Sequence, residues 1–315
     1  MGWDLTMLRE DTRWYEKEAP LFFFFACEQD GSRRRGTRVT AESVKPLVIL
    51  GTGYTGRSVY EREQARGLVV FATSRDPDRH LLYVPPERRI RFDLADRTTW
   101  RNLPRDSNLL WCFPAEPLEL VQEFAATINM TANRLVVLGS TSAYQMIPSR
   151  DYPPAWIDET APPDRSKPRV QGEEWLRTTC QAIVLRVAGI YGPGRHPLKW
   201  IKQGRVGPSR KYVNLIHVED LANICLVALE RGVRGEAYNV SDGTPRTWQD
   251  ICHLAREQFG IQRIVEVGND SAGKRIANGK LLSLLTEAGT SLVHPDLTRS
   301  LEQIVAAEAS TEATP

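Results

Sequence analysis

From residue 46 onward the chain sorts into short continuous apolar runs separated by longer stretches in which apolar residues recur at helical spacing. The runs lie at 46–50, 68–73, 90–92, 109–113, 134–138 and 183–187. Apolar runs of this kind, without polar alternation, predict strands buried on both faces of a sheet. The helical spacing predicts helices over 57–66, 118–129, 218–231 and 247–259, the first ended by Gly67 just past its last turn. Strands alternating with helices require crossover connections, so the expected fold class is α/β with a doubly wound parallel sheet.

The turn after the first strand carries candidate chemistry. Gly51-Thr52-Gly53-Tyr54-Thr55-Gly56 has the spacing GxGxxG, with a strand directly before it and a helix directly after. The first glycine permits a tight turn, the second a close backbone approach to a pyrophosphate, and the third close helix–strand packing. The anion would sit at the helix N-terminus, where unpaired N–H groups and the positive dipole end favour it. This predicts a Rossmann-type dinucleotide-binding domain over 46–190. The second strand ends in Thr73-Ser74-Arg75, where an NAD site would carry Asp or Glu for the ribose 2′-hydroxyl. A small hydroxyl and a guanidinium suit a 2′-phosphate better, so NADP is expected ahead of NAD, with Asp76 one residue late for the acidic role. Arg57, directly after the last glycine, is a second candidate phosphate contact.

Beyond about residue 190 the chain is richer in Gly, Pro and charge, and a smaller substrate-side domain interleaved with the sheet is expected over 191–307. Residues 1–45 show no sustained period and are expected to form a poorly ordered extension, and 308–315 a tail. A composition of 41% hydrophobic and 25% charged residues fits an ordinary globular protein rather than a disordered one. The net charge of +2 gives no general pull toward nucleic acid or an anionic membrane, so a small-molecule substrate is the expected partner. The apolar run at 21–27 is far short of the roughly 20 residues that span a bilayer. Acids scattered through the first twenty residues argue against a leader peptide, and a cytoplasmic location is expected. Five dispersed cysteines, without a CxxC or His–Cys spacing, predict reduced thiols and no metal site.

Further segments resemble the extended and atypical short-chain dehydrogenases, the group that includes nucleotide-sugar epimerases and dehydratases, from about Pro46 to Ala307. The resemblance implies an adenine contact at Phe92-Asp93-Leu94 and passage of the cofactor by Phe113-Pro114-Ala115. It implies a catalytic hydroxyl at Ser140 within Gly139-Ser-Thr-Ser-Ala-Tyr144. Leu185 to Gly194, Asn214 to Asp220 and Ala237 to Val240 resemble the sixth-strand and substrate-side motifs, and a homodimer is implied by the same likeness.

One departure bears on the chemistry. The family places Tyr-x-x-x-Lys on one helix, four residues being about one turn, so that the lysine tunes the tyrosine as an acid or base. None of the nine tyrosines here has lysine four residues on. In the expected helix over 165–177 the two slots are held by Arg165 and Arg169, or, one residue along, by Ser166 and Val170. Arg169 can hold a ribose hydroxyl but stays protonated. The substitute proton carriers are Tyr144, Tyr191 and His217, with Arg195 and His196 as a candidate anion-binding corner. Two functions follow: an NAD(P)-dependent oxidoreductase or epimerase/dehydratase-like enzyme acting on a small polar or nucleotide-sugar-like substrate, or an NADP-binding regulatory protein without turnover.

Overall fold

Leu47–Leu50 (β1) is buried at every position, as an unbroken apolar run requires, and pairs in parallel with Val70–Ser74 (β2) on one side. The computed structural model describes residues 45–128, 130, 133–145, 151–266 and 271–312, so the expectation for residues 1–44 lies outside it. Arg89–Arg91 (β3) adds to the β2 edge, while Asn108–Trp111 (β4) and Leu135–Ser140 (β5) continue the sheet on the other side of β1. The two-residue strand Trp156–Ile157 (β6) stands apart, and Ile183–Val187 (β7) extends the sheet from β5. Then follow Gly189–Tyr191 (β8), Tyr212–Val213 (β9), Leu215–His217 (β10), Ala237–Val240 (β11), Arg246–Thr247 (β12) and Arg275–Ile276 (β13).

Among the described residues, seven strands form one parallel sheet in the order β11-β7-β5-β4-β1-β2-β3. The order reverses at β1, which puts a crevice outside the C-terminal ends of β1 and β4. The helices are Tyr54–Ala65 (α1), Pro77–His80 (α2), Leu118–Ile128 (α3), Pro168–Thr179 (α4), Pro197–Lys202 (α5), Val218–Arg231 (α6), Trp248–Glu257 (α7), Gly279–Glu287 (α8) and Leu297–Glu312 (α9).

Successive strand residues point to opposite faces, and the core divides accordingly. Leu47, Ile49, Leu110, Val136 and Leu185 pack with residues of α1, α6 and α8. Val48, Leu50, Leu109, Trp111 and Val137 pack instead with residues of α3 and α4. Each such side chain contributes roughly 1.5–3 kcal/mol by leaving water. A third cluster, including Tyr191, Leu198, Leu215, Ile251 and Leu301, binds α5, α7 and α9 together.

Ala237–Val240 is the edge strand of the main sheet, paired with β7. Two expectations need correction. Residues 308–312 are not a tail but the end of α9. Helix α4 starts at Pro168 rather than 165, because a proline lacks the N–H that only the first turn can spare, and Asp164 Oδ1 accepts from Ser166 N at 3.1 Å in a turn before it.

Candidate functional site

The glycine-rich turn is stitched to β2 by two threonines. Gly51 N donates to Thr73 Oγ1 at 2.9 Å, and Thr73 N donates to Thr52 Oγ1 at 3.0 Å. The three glycines then differ in the space around them. Gly51 has φ +82°, a conformation that side chains resist, and a Cβ there would come within 2.8 Å of Phe113 Cδ1. A Cβ on Gly56 would press on Ile49 at 3.0 Å and on the Gly51 carbonyl at 3.1 Å. A Cβ on Gly53 would meet no atom within 4 Å. Gly53 caps α1 without a side-chain hydrogen bond, and the first turn carries no acid. Open space over bare amides at the start of a helix fits a diphosphate.

A cavity of about 600 Å³ opens from this turn, lined among others by Gly53, Arg75, His80, Asp93 and Phe113. Ser74 and Leu94 also line it, as do Glu116 and Leu120, which sequence reasoning did not single out. Asp93 is tethered, its Oδ1 accepting from Ala95 N at 3.0 Å and its carbonyl from Thr99 Oγ1 at 3.1 Å. Asp76 caps α2, its Oδ1 accepting from Arg79 N at 3.3 Å.

The side chains of other residues assigned to the cofactor have partners or places of their own. Arg57 is spent on the outer face of α1, with Nε donating to Glu61 Oε1 at 2.7 Å and the guanidinium 4.3 Å from the centre of the Tyr83 ring. Thr55 is buried within α1. Tyr54 leans to the 192–195 segment, its hydroxyl donating to Pro193 O at 3.1 Å. Arg169 donates to the buried Glu173 at 2.9 Å. The carbonyl of Ala115, which follows Pro114, lies against Gly172, where a Cβ would sit 1.9 Å away, so this segment seats α4.

Ser140 ends β5 half-buried, its Oγ accepting from Ser142 N at 3.1 Å. The segment after it is gripped by two lysines: Lys167 Nζ donates to Ser142 O at 2.7 Å, and Lys274 Nζ donates to the carbonyls of Thr141 and Tyr144. Burial pushes Lys274 down to about 8. Neither lysine was foreseen in this place.

Of the proposed proton carriers, Tyr191 and His217 meet edge to face, with ring centroids 5.1 Å apart across the β8–β10 pair, while Tyr144 belongs to a different, buried network. Tyr144 is 1% exposed, donating to Asn239 Oδ1 at 2.7 Å and accepting from Arg186 at 2.8 Å. Arg186 also binds Glu174 at 3.1 Å, so Tyr144 belongs to a buried polar network. Tyr191 lies fully inside the third core cluster, and burial pushes its hydroxyl up to about 12. His217 caps α6, its Nδ1 accepting from Glu219 N at 3.3 Å. Its ring stacks on His294 with centroids 3.7 Å apart, and burial pushes it down to about 4. The Glu219 N–H on Nδ1 places the His217 proton on Nε2, so the His217–Glu219–His294 cluster is a hydrogen-bonded helix cap. The 194–196 corner is tied to α9: Gly194 N donates to Glu308 Oε1 at 2.8 Å, and His196 Nε2 lies 3.4 Å from Glu308 Oε2. Arg195 stands over the Tyr54 ring at 5.8 Å.

No family model matches this chain. Protein YeeZ of Escherichia coli K12 is 28% identical over 224 residues, which cover 62% of this chain and 77% of YeeZ. A short-chain dehydrogenase/reductase superfamily protein from Agrobacterium tumefaciens, solved with bound NAD, superposes with a TM-score of 0.65 at 14% identity. That match covers 85% of this chain and 98% of the other. The human epimerase family protein SDR39U1, solved with NADPH, gives a TM-score of 0.61 at 20% identity over 83% of this chain and 99% of its own. No helix among the described residues is long and apolar enough to cross a membrane.

Proposed function

We propose that this chain, whose fold is that of the short-chain dehydrogenase/reductase superfamily, binds NADP(H) at the glycine-rich turn and acts as an oxidoreductase or epimerase-type enzyme on a small polar substrate. The observation that carries the reading is the open space above Gly53, at an α1 N-terminus free of acids, facing a cavity that Arg75 also lines. The first-turn amides of α1 would hold the diphosphate, Arg75, with Ser74 beside it, the 2′-phosphate, and Asp93 would lie at the adenine end. A bound nicotinamide supplies hydride transfer. Ser140 would donate to the substrate oxygen from a segment that Lys167 and Lys274 hold by its carbonyls.

Titration with NADPH, NADP, NADH and NAD, followed by ligand fluorescence and thermal shift, tests the first half. Tighter binding of the two phosphorylated forms is expected. Equal response to all four removes the 2′-phosphate assignment, and silence to all four removes the cofactor.

A second reading, cofactor binding without turnover, draws on the burial of Tyr144 in a network that leaves its proton committed to Asn239. NADPH consumption over a panel of carbonyl and nucleotide-sugar substrates separates the two. Turnover of any of them ends the second reading.

A further inference from the structure

We infer that His80, braced by Ser74, is a specificity-determining residue of the cofactor site, joining Arg75 to clasp the 2′-phosphate of NADP(H). The inference rests on the NADP reading above and assigns a residue that no sequence motif marks.

The geometry begins at the end of β2. Ser74 Oγ accepts from Asp76 N at 3.2 Å and lies 3.0 Å from His80 Nδ1. With the backbone N–H on one lone pair of Oγ, a hydroxyl that donates its proton to Nδ1 leaves the ring's own N–H on Nε2. Nε2 makes no hydrogen bond among the described residues, and Arg75 makes no ion pair among them. The acid beside Arg75 is withdrawn, because Asp76 caps α2. The chain thus presents a guanidinium and an imidazole N–H to the cavity that holds Gly51 and Gly53, with the Ser74 hydroxyl bracing the ring.

Such a set matches a phosphate monoester. A ribose 2′-hydroxyl could accept from one of these donors, but a phosphate has the lone pairs and the charge to accept from both. The hydrogen bond between Ser74 and His80 fixes the ring before the ligand arrives, so little ordering entropy is lost on binding.

The test uses the full chain and probes that lack nicotinamide: 2′,5′-ADP, its isomer 3′,5′-ADP, and 5′-AMP, titrated by calorimetry. Wild type is expected to bind 2′,5′-ADP at least about ten-fold tighter than the other two. His80→Ala is expected to lose about ten-fold toward 2′,5′-ADP and NADPH, with 5′-AMP and NADH within about two-fold of wild type. His80→Gln, which keeps a neutral donor, should retain part of the preference. His80 is exposed, so the melting temperature of both variants should match wild type. His80→Ala binding 2′,5′-ADP as well as wild type overturns the role of His80 and leaves the NADP reading standing. A wild type that does not distinguish 2′,5′-ADP from 5′-AMP overturns the 2′-phosphate reading itself, and His80 with it.

Discussion

The ring of Phe113 lies against the Cα of Gly51, so that the exit of β4 closes one side of the glycine-rich turn at the end of β1. The contact is why the first and second glycines of the motif should respond differently to the same substitution. Gly51→Ala adds a Cβ at φ +82° and 2.8 Å from Phe113 Cδ1, and should cost about 1–3 kcal/mol of stability, read by denaturant unfolding. Gly53→Ala meets no protein atom within 4 Å and should unfold like wild type, yet lose at least about ten-fold in NADPH affinity. Unchanged affinity in Gly53→Ala would mean that the space above this residue is not where the diphosphate lies.

Tyr144→Phe tests whether the tyrosine nearest Ser140 in sequence is structural. Removing its hydroxyl strands Asn239 Oδ1 and one guanidinium N–H of Arg186 in a buried setting. The expected loss is about 1–3 kcal/mol of stability, with NADPH affinity unchanged. If any turnover is found, kcat should fall by no more than the folded fraction. A variant of wild-type stability with abolished turnover would return Tyr144 to the list of proton carriers.

The fold was legible because its signals are local. The apolar runs at 46–50 and 183–187 are buried on both faces, and the helix expected over 218–231 is Val218–Arg231. The glycine spacing could be read because each glycine answers to atoms a few residues away or to one strand end. Ala237–Val240 escaped notice as a sheet strand because four residues with an asparagine among them carry little periodicity. Its place is set by pairing with β7, about fifty residues earlier. The side chains were harder still. Arg57 follows the last glycine but answers to Glu61 and Tyr83, and Tyr144 answers to Asn239, 95 residues away. Lys274 reaches the Ser140 segment from beyond residue 270, with no motif around it. Partnerships across such separations are made by the sheet order, which a one-dimensional pattern does not display.

Arg75→Asp should reverse the cofactor preference. The substitution puts an acceptor where a 2′-hydroxyl needs one and repels a 2′-phosphate. NADPH affinity should fall by about a hundred-fold, while NADH affinity rises by a few-fold, measured by fluorescence titration. The position is exposed, so stability should not change beyond about 0.5 kcal/mol. Loss of both cofactors together, in a folded variant, would place Arg75 at the diphosphate rather than the ribose.

His217 gives the protein a dependence on acid that a surface histidine would not. Its ordinary value is 6.5, and burial holds it at about 4 in the folded chain, with the neighbouring His294 acting in the same direction and Glu219 opposing. Between these values the unfolded chain takes up a proton that the folded chain refuses, so stability is full above pH 6.5 and falls as the pH drops toward 4. The size of the loss is on the order of 3 kcal/mol. Buried Asp220 is shifted upward, which acts with the opposite sign at the acid end, so the total profile is a sum. His217→Asn isolates the histidine, because an amide oxygen can still accept from the Glu219 N–H that caps α6 but does not titrate. The variant will be less stable at neutral pH, since the stacking on His294 and some core volume are lost. Its unfolding free energy should nevertheless fall less steeply than wild type between pH 6.5 and 4. Parallel profiles for the two proteins in that window would show that His217 is protonated in the folded state, and that its cap on α6 is not the neutral one described.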